Sequence, residues 1–182
     1  MRNLLFLFLL IGCTKSNSTN PDTYPQEKML DVAYGTDARQ KMDVYLAANH
    51  DTTTPFIVFI HGGGWTAGNK EDMHGFRDHF LTKGISSASI SYRYVSGSVH
   101  HEELMADVTK AINLIQEMDN WHSRKTKFIL CGGSAGAHMA LLYTYKYASQ
   151  AQVGAVISMA GPTKLDQVKF WNMQNLLALS VW

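Results

Sequence analysis

Hydrophobic and polar positions change period along the chain, and each change marks an element. Met29–Tyr34 and Lys41–Leu46 have strand-like character and flank Asp37-Ala38-Arg39, which predicts a hairpin. After Pro55 come five apolar residues in a row, Phe56–Ile60, the pattern of a strand buried on both faces. Asn69 predicts a helix cap, with the helix running to about Lys83 and Gly84 ending it. Ile85–Tyr92 reads as the next strand. In Glu102–Asp119, Leu104, Val108, Ala111, Ile112 and Ile115 share one face at helical spacing. Lys127–Cys131 predicts another buried strand, Ala135–Tyr147 the helix after it, and Val153–Met159 a further strand closed by Ala160-Gly161-Pro162. The segment beyond Pro162 is expected to be partly helical. Strand and helix alternate, so the expected class is α/β, a mostly parallel sheet with helices on both faces.

The extreme N-terminus follows a different pattern. Arg2 precedes Leu4–Ile11, an unbroken run of eight apolar residues. A spanning helix needs about 20 such residues, so the segment reads as a secretory signal. Leu10-Ile11-Gly12-Cys13 resembles the lipobox of bacterial lipoproteins. That resemblance implies removal of residues 1–12 as signal peptide and lipidation of Cys13. The protein would then be exported and lipid-anchored at a bacterial membrane, on the periplasmic or cell-surface side. Thr14–Gln26 is rich in Ser, Asn, Thr and Pro, so residues 13–27 are expected to form a flexible tether and 28–182 the folded domain.

Composition narrows the function classes. The 182 residues suffice for one domain with a real core, and 46% hydrophobic against 17% charged residues marks a globular chain. A net charge of +1, with no basic stripe, argues against a nucleic-acid partner. Of the two cysteines, Cys13 falls in the targeting segment and Cys131 ends an apolar run, so the fold does not lean on a disulfide. His100-His101 has no cysteine or carboxylate cluster at ligand spacing, and no metal or organic cofactor is expected.

The chemistry concentrates in two glycine-rich segments. Gly132-Gly133-Ser134-Ala135-Gly136 matches G-x-S-x-G between a predicted strand and a predicted helix, the context of a nucleophile elbow. The serine must sit on a sharp turn, where bulky flanking side chains would clash. A phosphate loop fits less well, because no Lys follows in the Walker pattern and the G-x-G-x-x-G spacing is absent. His61-Gly62-Gly63-Gly64-Trp65 directly follows the apolar strand ending at Ile60. Together the two segments resemble the esterases and lipases with an HGGG motif, related to hormone-sensitive lipase and to bacterial carboxylesterases. Asp43-Val44-Tyr45 and Tyr92-Arg93 also look like positions of that family, and the resemblance runs from about Met29 to Gly161.

The resemblance implies an α/β-hydrolase fold with Ser134 as nucleophile. It also implies an oxyanion hole donated by the amides of Gly63, Gly64 and Ala135. His61 is then a loop-bracing residue rather than the base. The family's chain order is serine, acid, histidine, but the 48 residues after Ser134 hold only His138 and then Asp166. His138 is expected on the helix flank, away from the hydroxyl. The other histidines (His50, His74, His79, His100, His101 and His122) are expected to be solvated. The expected explanation is truncation, with further strands, the acid and the histidine lying beyond Trp182. Val153–Met159 would then be an uncovered apolar edge, and the chain alone poorly soluble and weakly active or inactive. Three functions follow: a carboxylesterase for short acyl esters, with acetyl or feruloyl groups on polysaccharides as candidate substrates; an amidase, formamidase or peptidase of the same fold; or a non-catalytic hydrolase-like surface protein.

Overall fold

The computed structural model describes residues 24–121, 127–149 and 152–164. The signal segment, Cys13, His122, Asp166 and the stretch after residue 164 lie outside the described residues.

One sheet of six strands carries the domain: β1 (Glu27–Ala33), β2 (Lys41–Leu46), β3 (Phe56–Ile60), β4 (Ser86–Ile90), β5 (Phe128–Gly133) and β6 (Val153–Met159). Their order is β1-β2-β4-β3-β5-β6. β1–β2 and β2–β4 pair antiparallel, and β4, β3, β5 and β6 run parallel. The antiparallel hairpin and the parallel half match the sequence expectation. The folded part begins earlier than residue 28, however. Glu27 opens β1, and the Tyr24 carbonyl accepts the Asn49 N–H at 2.7 Å, so the tether expected over 13–27 does not reach Gln26.

Alternation within strands separates two cores. Phe56, Val58 and Ile60 of β3 join Met42, Val44, Ala88, Ile90, Phe128 and Leu130 under α2 (His101–Glu117) and α3 (Ala135–Leu142). Ile57 and Phe59 point the other way, with Cys131 and Met73. The smaller core lies on the side of α1 (His74–Leu81), whose Phe80 packs against it. All five residues of β3 are apolar and buried, as suits a strand covered on both faces.

Two helices differ from the expected spans. Asn69 does cap, its side chain accepting the Glu71 N–H, but it caps a 3-10 turn over Lys70–Met73 before α1 begins. At the other end, α3 stops at Leu142 and continues as a π turn over Tyr143–Tyr147. Thr144 Oγ1 donates back to the Ala140 carbonyl at 2.8 Å, a bond that favours such a distortion.

Two buried carboxylates, one on the sheet and one on α2, are each paired with a cation. Asp43 on β2 is 1% exposed and accepts from Lys70 Nζ at 2.9 Å and His74 Nε2 at 3.1 Å. Burial alone would raise its pKa. Lys70, the Asp31 N–H and His74 together hold it below the usual carboxylate value. Asp107 on α2, fully buried, takes a forked pair of bonds from Arg93 and one from Gln40. Both ion pairs fall within or beside segments that the sequence singled out, Asp43-Val44-Tyr45 and Tyr92-Arg93.

Candidate active site

β5 ends at Gly133 and α3 begins at Ala135, so Ser134 alone makes the turn between them. Its backbone sits at φ 50°, ψ −114°, a combination a non-glycine residue adopts only under constraint. The constraint is visible. The Ser134 N–H donates to the Met159 carbonyl of β6 at 2.8 Å, and the Ser134 carbonyl accepts the His138 N–H at 3.1 Å. The residue is exposed, while Ala135, Gly136 and Ala137 behind it are buried. This is the geometry of a serine presented at the end of a strand.

Helix and sheet approach too closely here for side chains. A Cβ on Gly136 would lie 2.1 Å from the Ile60 carbonyl oxygen, and one on Gly132 2.3 Å from the Gly136 carbonyl carbon. Gly133 is different, since its nearest neighbour would be the Met159 methyl at 3.9 Å. The two outer glycines of the motif are therefore required by packing and the inner one is not.

The triple-glycine segment lies directly beside the elbow. A Cβ placed on Gly62 would be 3.4 Å from Ser134 Cβ and 2.9 Å from the Gly133 carbonyl oxygen. Gly63, Gly64 and Trp65 all have positive φ, at 104°, 58° and 63°. The Gly63 carbonyl closes the turn by accepting from the Thr66 and Ala67 amides at 3.1 and 2.9 Å. A Cβ on Gly64 would meet nothing within 4 Å, so that face of the loop is open. The structure thus sets Gly62, the residue before Gly63 and Gly64, beside Ser134 at the start of α3.

The loop is tied down on its far side. The His61 ring stacks on Tyr92 with centroids 4.2 Å apart, and the Tyr92 hydroxyl donates to the His61 carbonyl at 2.9 Å. His61 Nδ1 lies 2.6 Å from the Gly62 carbonyl oxygen, and the residue is fully buried. It braces the loop, as expected. Arg39 adds a clamp, donating to the Tyr92 carbonyl and to the Gly68 carbonyl at 2.8 Å each. His138 is half-buried, its ring edge-on to Trp65 at 5.5 Å. The structure corrects the expectation for three other histidines. His50 is 2% exposed with Nδ1 2.7 Å from the Ala47 carbonyl oxygen, His101 is buried with Nδ1 2.9 Å from Glu102, and His74 pairs with Asp43. Isolated histidines carry no sequence signal of their partners. Asp107 did carry one, because a carboxylate on the apolar face of a helix must find a cation.

Asp43, Glu71 and His74 place one ligand atom each within 4.8 Å of one another. Lys70 Nζ already fills the cation's role there, 2.9 Å from Asp43 and 3.1 Å from Asp31. Cys131 is buried and unpaired with any other cysteine, and burial pushes its thiol up to about 11.

Burial pushes both His61 and His138 down to about 4 from the ordinary 6.5. The unfolded chain therefore takes up protons below 6.5 while the folded one does not. Stability is full above 6.5 and falls as pH drops towards 4, by up to roughly 3 kcal/mol for each histidine. Urea midpoints at pH 7 and pH 4.5 check this; equal midpoints would contradict it.

With this geometry in view, the family model of BD-FAE matches residues 42–176, a span that includes both glycine segments and Ser134. The chain belongs to the BD-FAE family. Kynurenine formamidase of Salmo salar is 26% identical over 117 residues, covering 64% of this chain and 38% of that protein. The isoprenylcysteine alpha-carbonyl methylesterase ICME of Arabidopsis thaliana is 27% identical over 129 residues, covering 70% of this chain and 30% of that protein. Among solved structures, a truncated form of a carbohydrate esterase from gut microbiota superposes with a TM-score of 0.64 at 20% identity, over 80% of this chain and 60% of the other. This BD-FAE chain therefore has the α/β-hydrolase fold and spans 30–38% of the length of these two curated relatives.

Proposed function

We propose that this BD-FAE domain carries the nucleophile and oxyanion donors of a serine carboxylesterase acting on short acyl esters. The observation that carries the reading is the exposed Ser134 at φ 50°, with Gly62 so near that an added Cβ there would lie 3.4 Å from Ser134 Cβ. In the proposed reaction the Ser134 hydroxyl oxygen attacks the ester carbonyl carbon as a base takes its proton. The carbonyl oxygen becomes an oxyanion held by the amides of Gly63, Gly64 and Ala135. Ala135 opens α3, where first-turn amides have no partner within the helix. Collapse expels the alcohol and leaves an acyl-enzyme, and water then releases the acid. His61 is not assigned as the base, since its ring lies behind the loop on Tyr92.

Acetyl or feruloyl esters on polysaccharides are the proposed substrates, supported by likeness in fold to a carbohydrate esterase. A formamidase reading is favoured by the similarity to the salmon formamidase and uses the same serine. The two separate on substrate. In the protein expressed from its complete gene, p-nitrophenyl acetate and acetylated xylan should be hydrolysed far faster than an N-formyl arylamine. Ser134→Ala should lower ester hydrolysis by at least about 10³-fold. Preference for the formyl amide would replace the ester reading, and full activity in Ser134→Ala would end both.

The proposed location is a bacterial membrane, on its periplasmic or cell-surface side, through a lipid on Cys13. Radiolabelled palmitate should enter the wild-type protein and not Cys13→Ala, and equal labelling would contradict it.

A further inference from the structure

The loop beside Ser134 is held at both ends by aromatic contacts, and the reading above uses only one of them. At its start, His61 is fixed by Tyr92. At its end, Trp65 is 3% exposed and sits at φ 63°, a conformation that persists only where surroundings enforce it. Two contacts do so. The Trp65 carbonyl accepts the Val95 N–H at 3.0 Å, and the indole meets the His138 ring edge-on, centroids 5.5 Å apart with planes at 90°. His138 belongs to α3, the helix launched by the elbow, and its own N–H donates to the Ser134 carbonyl at 3.1 Å. One residue therefore touches both halves of the site. Its backbone holds the serine's residue, and its ring holds the residue that follows Gly64. Burial keeps the ring neutral at ordinary pH, so the contact joins two uncharged rings.

We propose that His138 is a positioning residue that sets the spacing between Ser134 and the Gly63 and Gly64 amides through its ring contact with Trp65. The proposal rests on the assignment of Ser134 as nucleophile, and it concerns the stem of the site rather than the reacting atoms. An aromatic edge is what the contact requires, so Phe should serve in place of His.

The test uses the protein expressed from its complete gene. His138→Ala should lower kcat for p-nitrophenyl acetate by about tenfold or more with KM little changed, because a misplaced donor weakens the transition state rather than substrate binding. His138→Phe should keep kcat within about threefold. Hydrogen exchange of the backbone over residues 61–67 should quicken by about tenfold in His138→Ala and stay unchanged in His138→Phe. Should His138→Ala fold poorly, His138→Leu fills the space without an aromatic edge and gives the same comparison. Unchanged exchange and kcat in the Ala or Leu variant, or equal losses in the Phe variant, would overturn the proposal. If hydrolysis survives Ser134→Ala, the nucleophile assignment fails, and the exchange data still decide whether His138 holds the loop.

Discussion

Gly136→Ala is expected to cost about 3 kcal/mol of stability or more, at the upper end for overpacking a core. The added methyl would lie 2.1 Å from the Ile60 carbonyl oxygen and 2.4 Å from that of His61. Both obstacles are main chain, at the point where β3 runs into the triple-glycine loop, so no side chain can swing aside. Relief requires α3 to move off the sheet, which also drags Ser134 away from Gly62. Total stability of a domain is about 5–15 kcal/mol, so the loss is a large fraction of it. Gly133→Ala is the matched control, since its methyl would come no nearer than 3.9 Å to the Met159 side chain. Urea unfolding of the two variants makes the comparison. A large drop in midpoint for Gly136→Ala with little change for Gly133→Ala is expected, and equal midpoints would contradict the packing argument.

Gly63→Ala is expected to cut kcat/KM for a short ester by about 10²-fold or more, the size of losing one oxyanion donor. Gly63 holds φ at 104°, outside what L side chains readily adopt, and its Cβ would meet the Ala67 carbonyl oxygen at 2.1 Å. The turn must open, and the amides that it aims move with it. Gly64→Ala separates this from a general dislike of alanine in the loop. Gly64 sits at φ 58°, in the left-handed region that alanine enters at a cost of about 1–2 kcal/mol, and its Cβ would meet nothing within 4 Å. Steady-state hydrolysis should therefore rank wild type above Gly64→Ala, with Gly63→Ala far below both. Activity in Gly63→Ala within a few-fold of wild type would show that the loop's shape does not matter to the reaction.

Much of this was legible in the residues. The continuous apolar run at Phe56–Ile60 marks a strand, and the spacing of Leu104, Val108, Ala111, Ile112 and Ile115 marks a helix, because burial on a defined face leaves a trace in the sequence. The elbow and the triple-glycine loop were legible because few backbones tolerate such turns. Contacts between distant side chains leave no such trace. Nothing near His138 in the chain announces Trp65, 73 positions away, and nothing near His61 announces Tyr92. The 3-10 start before α1 and the π turn after α3 were also unreadable, since neither is set by apolar spacing. The buried Asp43 could have been suspected, as a carboxylate inside an apolar strand, but its partner Lys70 could not.

Covalent capture tests the central claim most directly. The protein from its complete gene would be treated with a p-nitrophenyl phosphonate, digested, and its adduct located by mass spectrometry. A single phosphonyl group on Ser134, absent from Ser134→Ala and much reduced in Gly63→Ala, is the expected result. An adduct on another residue, or equal phosphonylation of the Ser134→Ala protein, would show that position 134 is not the nucleophile.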